Sequence, residues 1–336
     1  MKNNSIDFLA VGDIVIDAFI ELQDAKVHCD IDDNNCTISM NFGDKIPYKK
    51  LNVVSGVGNA PNASVCASRL GLTSACVTHV GDDQHGKDCI DNLQKNSVDT
   101  SLIQIQKGFD TNYHFVMSFD AERTILIKHA EFNYDFPSIV ENIRAPKWIY
   151  FSSVASNSLH YHEQIVDYLQ KNPTTKLAFQ PGTFQISLGS EKLKELYKQT
   201  QVFFCNKEES QKILKTDDSD TLTLLQKMHK LGPNIVCITD GPKGAYAYDG
   251  TNAWFQPIYP DPAPPVERTG AGDSFSSTFT AALALGKSVP EALSWGPINS
   301  MNVVQHIGAQ EGLLSKKELE EYLENAPQDY KTQKIQ

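Results

Sequence analysis

Short runs of apolar, largely β-branched and aromatic residues recur along the chain, separated by polar stretches of helical period, and this alternation leaves few folds open. The runs lie at 75–80, 148–152, 176–179, 201–205 and 234–239, with helical stretches at 87–95, 162–171 and 222–231. Strand and helix in turn predict βαβ units and an α/β fold with a mostly parallel sheet. The 336 residues suffice for one large domain or two small ones. Ligands of open α/β sheets gather beyond the carboxyl ends of the strands, so the residues just past each run matter most.

Several segments depart from the alternation. The apolar run from Phe8 through Gly12-Asp13 to Asp17 reads as one buried strand with polar groups at its carboxyl end. Residues 18–51 mix polar and single apolar residues, as expected of a half-exposed antiparallel ribbon standing off the main sheet. A second such patch, 112–119 and 123–128 with a turn at Asp120-Ala121-Glu122, suits pairing with the first, the two making a small β lid. The Asn59-Ala60-Pro61-Asn62 loop opens a helix over 64–70, capped by Gly71. The tail beyond Pro290 reads as helical, and 328–336 as polar and frayed.

A net charge of −11 without any basic block argues against nucleic acid as a partner. Seven scattered cysteines, with no Cys-x-x-Cys pair, read as reduced residues of a cytoplasmic protein. The apolar patch near the N-terminus is too short for a signal peptide or a membrane span.

The segment richest in chemistry is Glu267-Arg268-Thr269-Gly270-Ala271-Gly272-Asp273, which runs into the small-residue helix 276–285. Gly270, Ala271 and Gly272 leave backbone N–H groups open at a helix start, where amides and dipole favour an anion. A carboxylate at Asp273 would repel that anion unless it has work to do, such as taking the proton of an attacking hydroxyl. A helix-capping Asp after a flexible turn would read the same way. Thr239, Gly241 and Gly244 come after a strand and suit a phosphate-facing turn. Asn206 and Glu209, one helical turn apart beyond the 201–205 strand, could orient the waters of magnesium or simply cap a helix.

In this order the motifs resemble the ribokinase, or PfkB, family of carbohydrate and nucleoside kinases. The likeness runs from Leu9 to about Leu323 and rests on Gly58 to Asn62, Gly81-Asp82-Asp83-Gln84-His85-Gly86, Asn206 with Glu209, and Gly270 to Asp273. It implies a single domain over 1–336, a three-layer α/β/α sandwich with a β lid from insertions at about 18–52 and 108–130. It further implies in-line transfer of the γ-phosphoryl group of ATP to a hydroxyl of a small sugar. On this resemblance Asp273 is the base and Gly270, Ala271 and Gly272 the anion hole. Asn206 and Glu209 organise Mg2+, and Thr239, Gly241 and Gly244 hold the nucleotide phosphates. Asp17, Gly58, Asn59 and Asn62 match positions that hold substrate hydroxyls. Asn299 falls where the adenine lies, while Glu267, Thr269, His306 and Gly308 fall about a monovalent cation such as potassium (K+). Glu267 stands where the family usually has Asp, and Val57-Gly58 replaces its common Gly-Gly, which puts the cation site and the identity of the acceptor in question. A homodimer through the lid fits its exposed strand edges.

Other motifs are set aside. Leu285-Gly286-Lys287-Ser288 lacks the first glycine of a Walker loop, His162-Glu163 lacks the second zinc histidine, and Asp30, Asp32 and Asn34 lack the turn glycine of a calcium loop. Three readings remain open: a sugar kinase, a nucleoside kinase with Phe42, Phe115 or Phe119 at a base slot, and a silent binding protein on the same scaffold.

Overall fold

The computed structural model describes residues 5–29, 36–119 and 122–336. Its main sheet runs in the order Gln333–Lys334, Ala253–Gln256, Ala245–Tyr248, Ile235–Thr239, Thr200–Asn206, Lys176–Phe179, Trp148–Phe151, Phe8–Val11 and Ser74–Val77. Strands from Ile235–Thr239 to Ser74–Val77 are parallel, and the three at the other edge are antiparallel. Because strand side chains alternate, Phe8, Ala10 and Tyr150 join one buried cluster while Leu9, Val11 and Ile149 join another. Helices Asn59–Arg69, Ala271–Ala284 and Val289–Val303 cover the first face, and Leu159–Lys171, Lys194–Gln199 and Thr221–His229 the second. The result is the α/β/α sandwich that the family resemblance implies, with the mostly parallel sheet expected from the alternation.

A second, four-stranded sheet orders Glu122–Leu126, Tyr113–Phe119, Val15–Leu22 and Tyr48–Val57. Here the expectation of one strand over residues 8–17 is corrected. Phe8–Val11 ends in the main sheet, and after Gly12-Asp13 the chain enters the small sheet at Val15. The continuous apolar pattern arises because both strands are largely buried. The two inserted patches do pair, through Val15–Leu22, which lies parallel to Tyr113–Phe119.

Three further expectations change. The helix at the Asn59 loop starts at Asn59 itself, with Pro61 in its first turn, where a missing N–H costs nothing. The tail is not frayed at 333–336: Gln333–Lys334 pairs with Ala253–Gln256, and Ile335 N–H donates to Ala253 O. Cys29 and Cys36 are not thiols but a disulfide across the exposed hairpin Lys26–Cys29 and Cys36–Ser39, since antiparallel pairing sets them opposite one another. The other five cysteines are free and buried. Asp30, Asp32 and Asn34, like Asp120 and Ala121 of the expected turn, lie outside the described residues. Among those described, no helix is long and apolar enough to cross a membrane.

Phe279, fully buried, packs edge-on against Phe204 at 5.5 Å and joins the helix Ala271–Ala284 to the sheet. Phe279→Ala is expected to lower the free energy of unfolding by about 3–5 kcal/mol, read from urea titrations. A loss under about 1 kcal/mol would contradict the packing of this layer.

Candidate active site

Helix Ala271–Ala284 begins at Gly270, whose φ of 83° and close approach to Ala309 admit only glycine: an added Cβ would sit 2.3 Å from the Ala309 Cβ. Ser274 N–H donates to Gly270 O and Ala271 N–H to Arg268 O at 3.5 Å, which leaves the Gly272 and Asp273 amides of the first turn without intrahelical partners. Two cavities, both lined by Gly272 and Phe275, lie at this helix start.

Asp273 stands in that first turn, partly buried. Asn59 Nδ2 and Gln180 Nε2 donate to its Oδ1 at 2.8 and 3.1 Å, and Asn62 Nδ2 donates to Oδ2 at 2.9 Å. Burial raises its pKa, the three amides lower it in part, the nearby charge of Asp17 raises it further, and the net shift is upward. Asn62 Nδ2 serves Asp273, and its Oδ1 accepts from Gln310 at 3.0 Å. Gly58 also serves geometry, since its φ of 118° sets it against Asp13 O, where an added Cβ would meet that oxygen at 2.7 Å. Asn59 joins Asp273 directly, and Asp17 sits on the small sheet beside His114.

Gln180 escapes notice in the sequence. It ends the strand Lys176–Phe179, accepts from Tyr150 OH and Ser276 Oγ, and lines the second cavity. Only its place after a buried run and before Pro181-Gly182 could have drawn attention to it.

The first cavity, about 260 Å³, is lined by polar Thr239, Asp261 and Arg268 with Gly241 and Gly244, and by apolar Ile258, Tyr259, Pro265, Met301 and Val304. A mixed lining of this kind suits a nucleotide. Asn299 is fully buried outside this lining, donating to Thr278 Oγ1 at 2.8 Å and accepting from Leu314 N–H at 3.0 Å. Its neighbours Ser300 and Met301 reach the cavity instead.

The second cavity, about 370 Å³, is lined by Asn206, Lys207, Glu208 and Glu209. Asn206 and Glu209 form a reciprocal cap, each side chain accepting the other's N–H at 2.8 Å. Burial, with the charges of Asp273 and Glu208, raises the Glu209 pKa against the lowering effect of Asn206 N–H and Lys212. A carboxyl in that setting gains from a nearby cation, so the pair fits water-mediated magnesium as well as capping.

Glu267 Oε1 accepts from Thr269 N–H at 2.8 Å and meets Arg123 Nη1 of the small sheet at 3.5 Å. Glu267 Oε2 and Thr269 Oγ1 are buried without partners. Val304 O accepts from Val266 and Glu267 N–H, which draws the turn of buried Gly308 and exposed His306 alongside.

The rejected motifs have structural explanations. Ser288 caps the next helix, and Gly286 ends the turn before it, so the Walker-like run is an interhelical turn. Buried His162 donates from Nδ1 to Ser158 O and accepts from Gln185. Phe115 lies in register with Ala18, on the opposite face of the small sheet from the Asp17 and His114 pair, and lines an outer hollow with Tyr113 and Leu126.

A family model described as pfkB family carbohydrate kinase matches residues 30–317. Fructoselysine 6-kinase of Escherichia coli (strain K12) is 26% identical over 264 residues, 78% of this chain and 94% of that protein. 5-Dehydro-2-deoxygluconokinase of Halalkalibacterium halodurans is 25% identical over 283 residues, 80% and 85% of the two chains. The structure of Arabidopsis thaliana ribokinase complexed with ribose and ATP has a TM-score of 0.78 and 21% identity, covering 95% of this chain and 99% of that one. The fold and these relatives define a phosphotransferase with a hydroxyl acceptor on the ribokinase fold. The chain belongs to the pfkB family of carbohydrate kinases.

A carboxylate must be ionised to take up a proton, and Asn62 donates a bond that favours the ionised form of Asp273. Asn62→Ala should therefore move the acid limb of the kcat/KM profile to higher pH. A limb that stays in place, or moves lower, would show that Asn62 does not tune this carboxylate.

Proposed function

We propose that this carbohydrate kinase transfers the γ-phosphoryl group of ATP to a hydroxyl of a small sugar, with Asp273 as the general base. The observation that carries this reading is the Asp273 carboxylate, held by three side-chain amides in the first turn of a helix at whose start the two cavities lie. The acceptor hydroxyl gives its proton to Asp273 as its oxygen attacks the γ-phosphorus, and the bond to the ADP oxygen breaks in line. The helix start at Gly270, Ala271 and Gly272 takes the charge spreading over the transferred group. Thr239, Gly241, Gly244 and Arg268, which line the first cavity, support the nucleotide phosphates. Magnesium held through water by Asn206 and Glu209 would neutralise phosphate charge.

Potassium stays a proposal with a competitor. Glu267 Oε2 and Thr269 Oγ1 are unpartnered acceptors suited to a monovalent cation, while Arg123 already gives Glu267 a positive neighbour. The small sheet serves as a lid that keeps water from the acceptor side. Its edge strand Tyr48–Val57, with Tyr48, Leu51 and Val53 exposed, is the surface through which we propose that two copies pair. The reaction is assigned to the cytoplasm, where ATP is available.

In an ADP-release assay with sugar acceptors, Asp273→Asn should lower kcat by about 10²–10⁴-fold and leave ATP binding measurable. Near-normal turnover would remove the base assignment. The same assay should lose its signal when EDTA removes magnesium, and exchange of potassium for sodium should change kcat less than about threefold if Arg123 suffices. Light scattering is expected to give the mass of a dimer, and a monomer at micromolar concentration would dismiss the pairing.

A further inference from the structure

We infer that Gln310 fixes the side-chain amide of Asn62 with its N–H groups toward Asp273 and so acts as a positioning residue, a role in the reaction that rests on Asp273 as base. Gln310 is buried in the turn that follows the helix Val289–Val303. Its Nε2 donates to Gly56 O at 2.8 Å and to Asn62 Oδ1 at 3.0 Å, while its Oε1 accepts from Asn92 Nδ2 at 2.9 Å. A side-chain amide can turn over and exchange its N for its O, but a backbone carbonyl only accepts. Gly56 O therefore holds Nε2 on its own side, and Nε2 must meet an acceptor on Asn62. That leaves Asn62 to present Nδ2 to Asp273 Oδ2, at 2.9 Å. The preceding residue, Ala309, closely approaches Gly270 at the start of the helix Ala271–Ala284, so the turn is held against the same site.

The consequence falls on the neutral acid as much as on the carboxylate. Asn59, Asn62 and Gln180 all donate to Asp273, so a proton on the carboxyl finds no acceptor among them. Gln180 is held in its sense by Tyr150 OH and Ser276 Oγ, which donate to its Oε1. A hydroxyl can reverse its role, however, and a backbone carbonyl cannot. Were Asn62 free to turn over, its Oδ1 would accept the proton of the neutral acid and stabilise that form. Gln310 blocks the turn, because Asn62 Nδ2 would then confront Gln310 Nε2, donor against donor. The lock thus opposes the upward shift that burial imposes on Asp273. Other titratable groups facing Asp273 are Asp17 of the small sheet, Glu209 of the helix Lys207–Leu214 and Tyr150 of the main sheet, paired with His114, Asn206 and Gln180 respectively.

The test follows the Asp273 carboxyl itself, in the purified full chain without substrates, by carbon-13 NMR titration of labelled aspartate. Its signal is assigned by its loss in Asp273→Asn. Gln310→Met should raise the midpoint by about 0.5–1.5 pH units. Gln310→Ala, which leaves room for water able to donate or accept, should act alike. Asn62→Ala should raise the midpoint too, and in that background Gln310→Met should add less than about 0.2 pH units, since the residue it acts through is gone. The acid limb of kcat/KM should follow the same pattern. A midpoint unmoved in the Gln310 variants, or moved equally with and without Asn62, would overturn the inference. Neutron diffraction of the unaltered protein below the midpoint needs no variant to fold: Asn62 Nδ2 should still face Asp273, and Oδ1 in its place would overturn the inference as well. A midpoint that moves as expected while the kcat/KM limb stays fixed would leave the lock standing and remove the base assignment.

Discussion

A carboxylate buried in the first turn of a helix must be compensated for lost water, and the architecture around Asp273 supplies that compensation. Two amides come from the helix Asn59–Arg69 and one from the end of a main-sheet strand, so elements far apart in sequence must meet at a single side chain. Their donated hydrogen bonds offset part of the cost of burying charge, while incomplete compensation leaves the pKa raised. Under the proposed reaction, a carboxylate with raised affinity for its proton would be better matched to a hydroxyl than an ordinary aspartate.

The backing of this turn is equally constrained. Asn299 ties the helix Val289–Val303 to Thr278 on the catalytic helix and to Leu314 beyond it. Ser300, one position along, bonds Ala271 O at 2.8 Å and lines the nucleotide cavity. One residue turns a helix by about 100°, enough to separate a buried strut from a cavity wall. That step separates buried Asn299 from Ser300, which lines the first cavity.

What the sequence disclosed tracks the range of the interactions. Glycines at 270 and 272, the strand before Asn206 and the alternation of elements are local signals, and the structure contains the corresponding helix start, cap and parallel sheet. Gln180 acts on Asp273 across 93 residues of chain, and no local pattern marks such a contact. The Gln333–Lys334 strand was unreadable for the same reason, since its partner lies at Ala253–Gln256. At residues 8–17 burial hid the break between two sheets, because an apolar run carries no mark of which sheet it enters. The Cys29–Cys36 bridge depends on hairpin register, which the spacing of cysteines does not encode.

The passage from main sheet to small sheet at Gly12-Asp13 also divides labour within the molecule. Asp273 and its amides are built on the sandwich, whereas Asp17 and His114 are carried by strands whose other face includes exposed Phe115, Leu51 and Leu126. Exposed residues of that face can change identity at less cost to the packed layers than Ile16, Ala18 or Val116 of the same sheet, which are buried. A scaffold of this kind can inherit one reaction unaltered while its appetite for substrates drifts, with the small sheet as the part on which that drift is written.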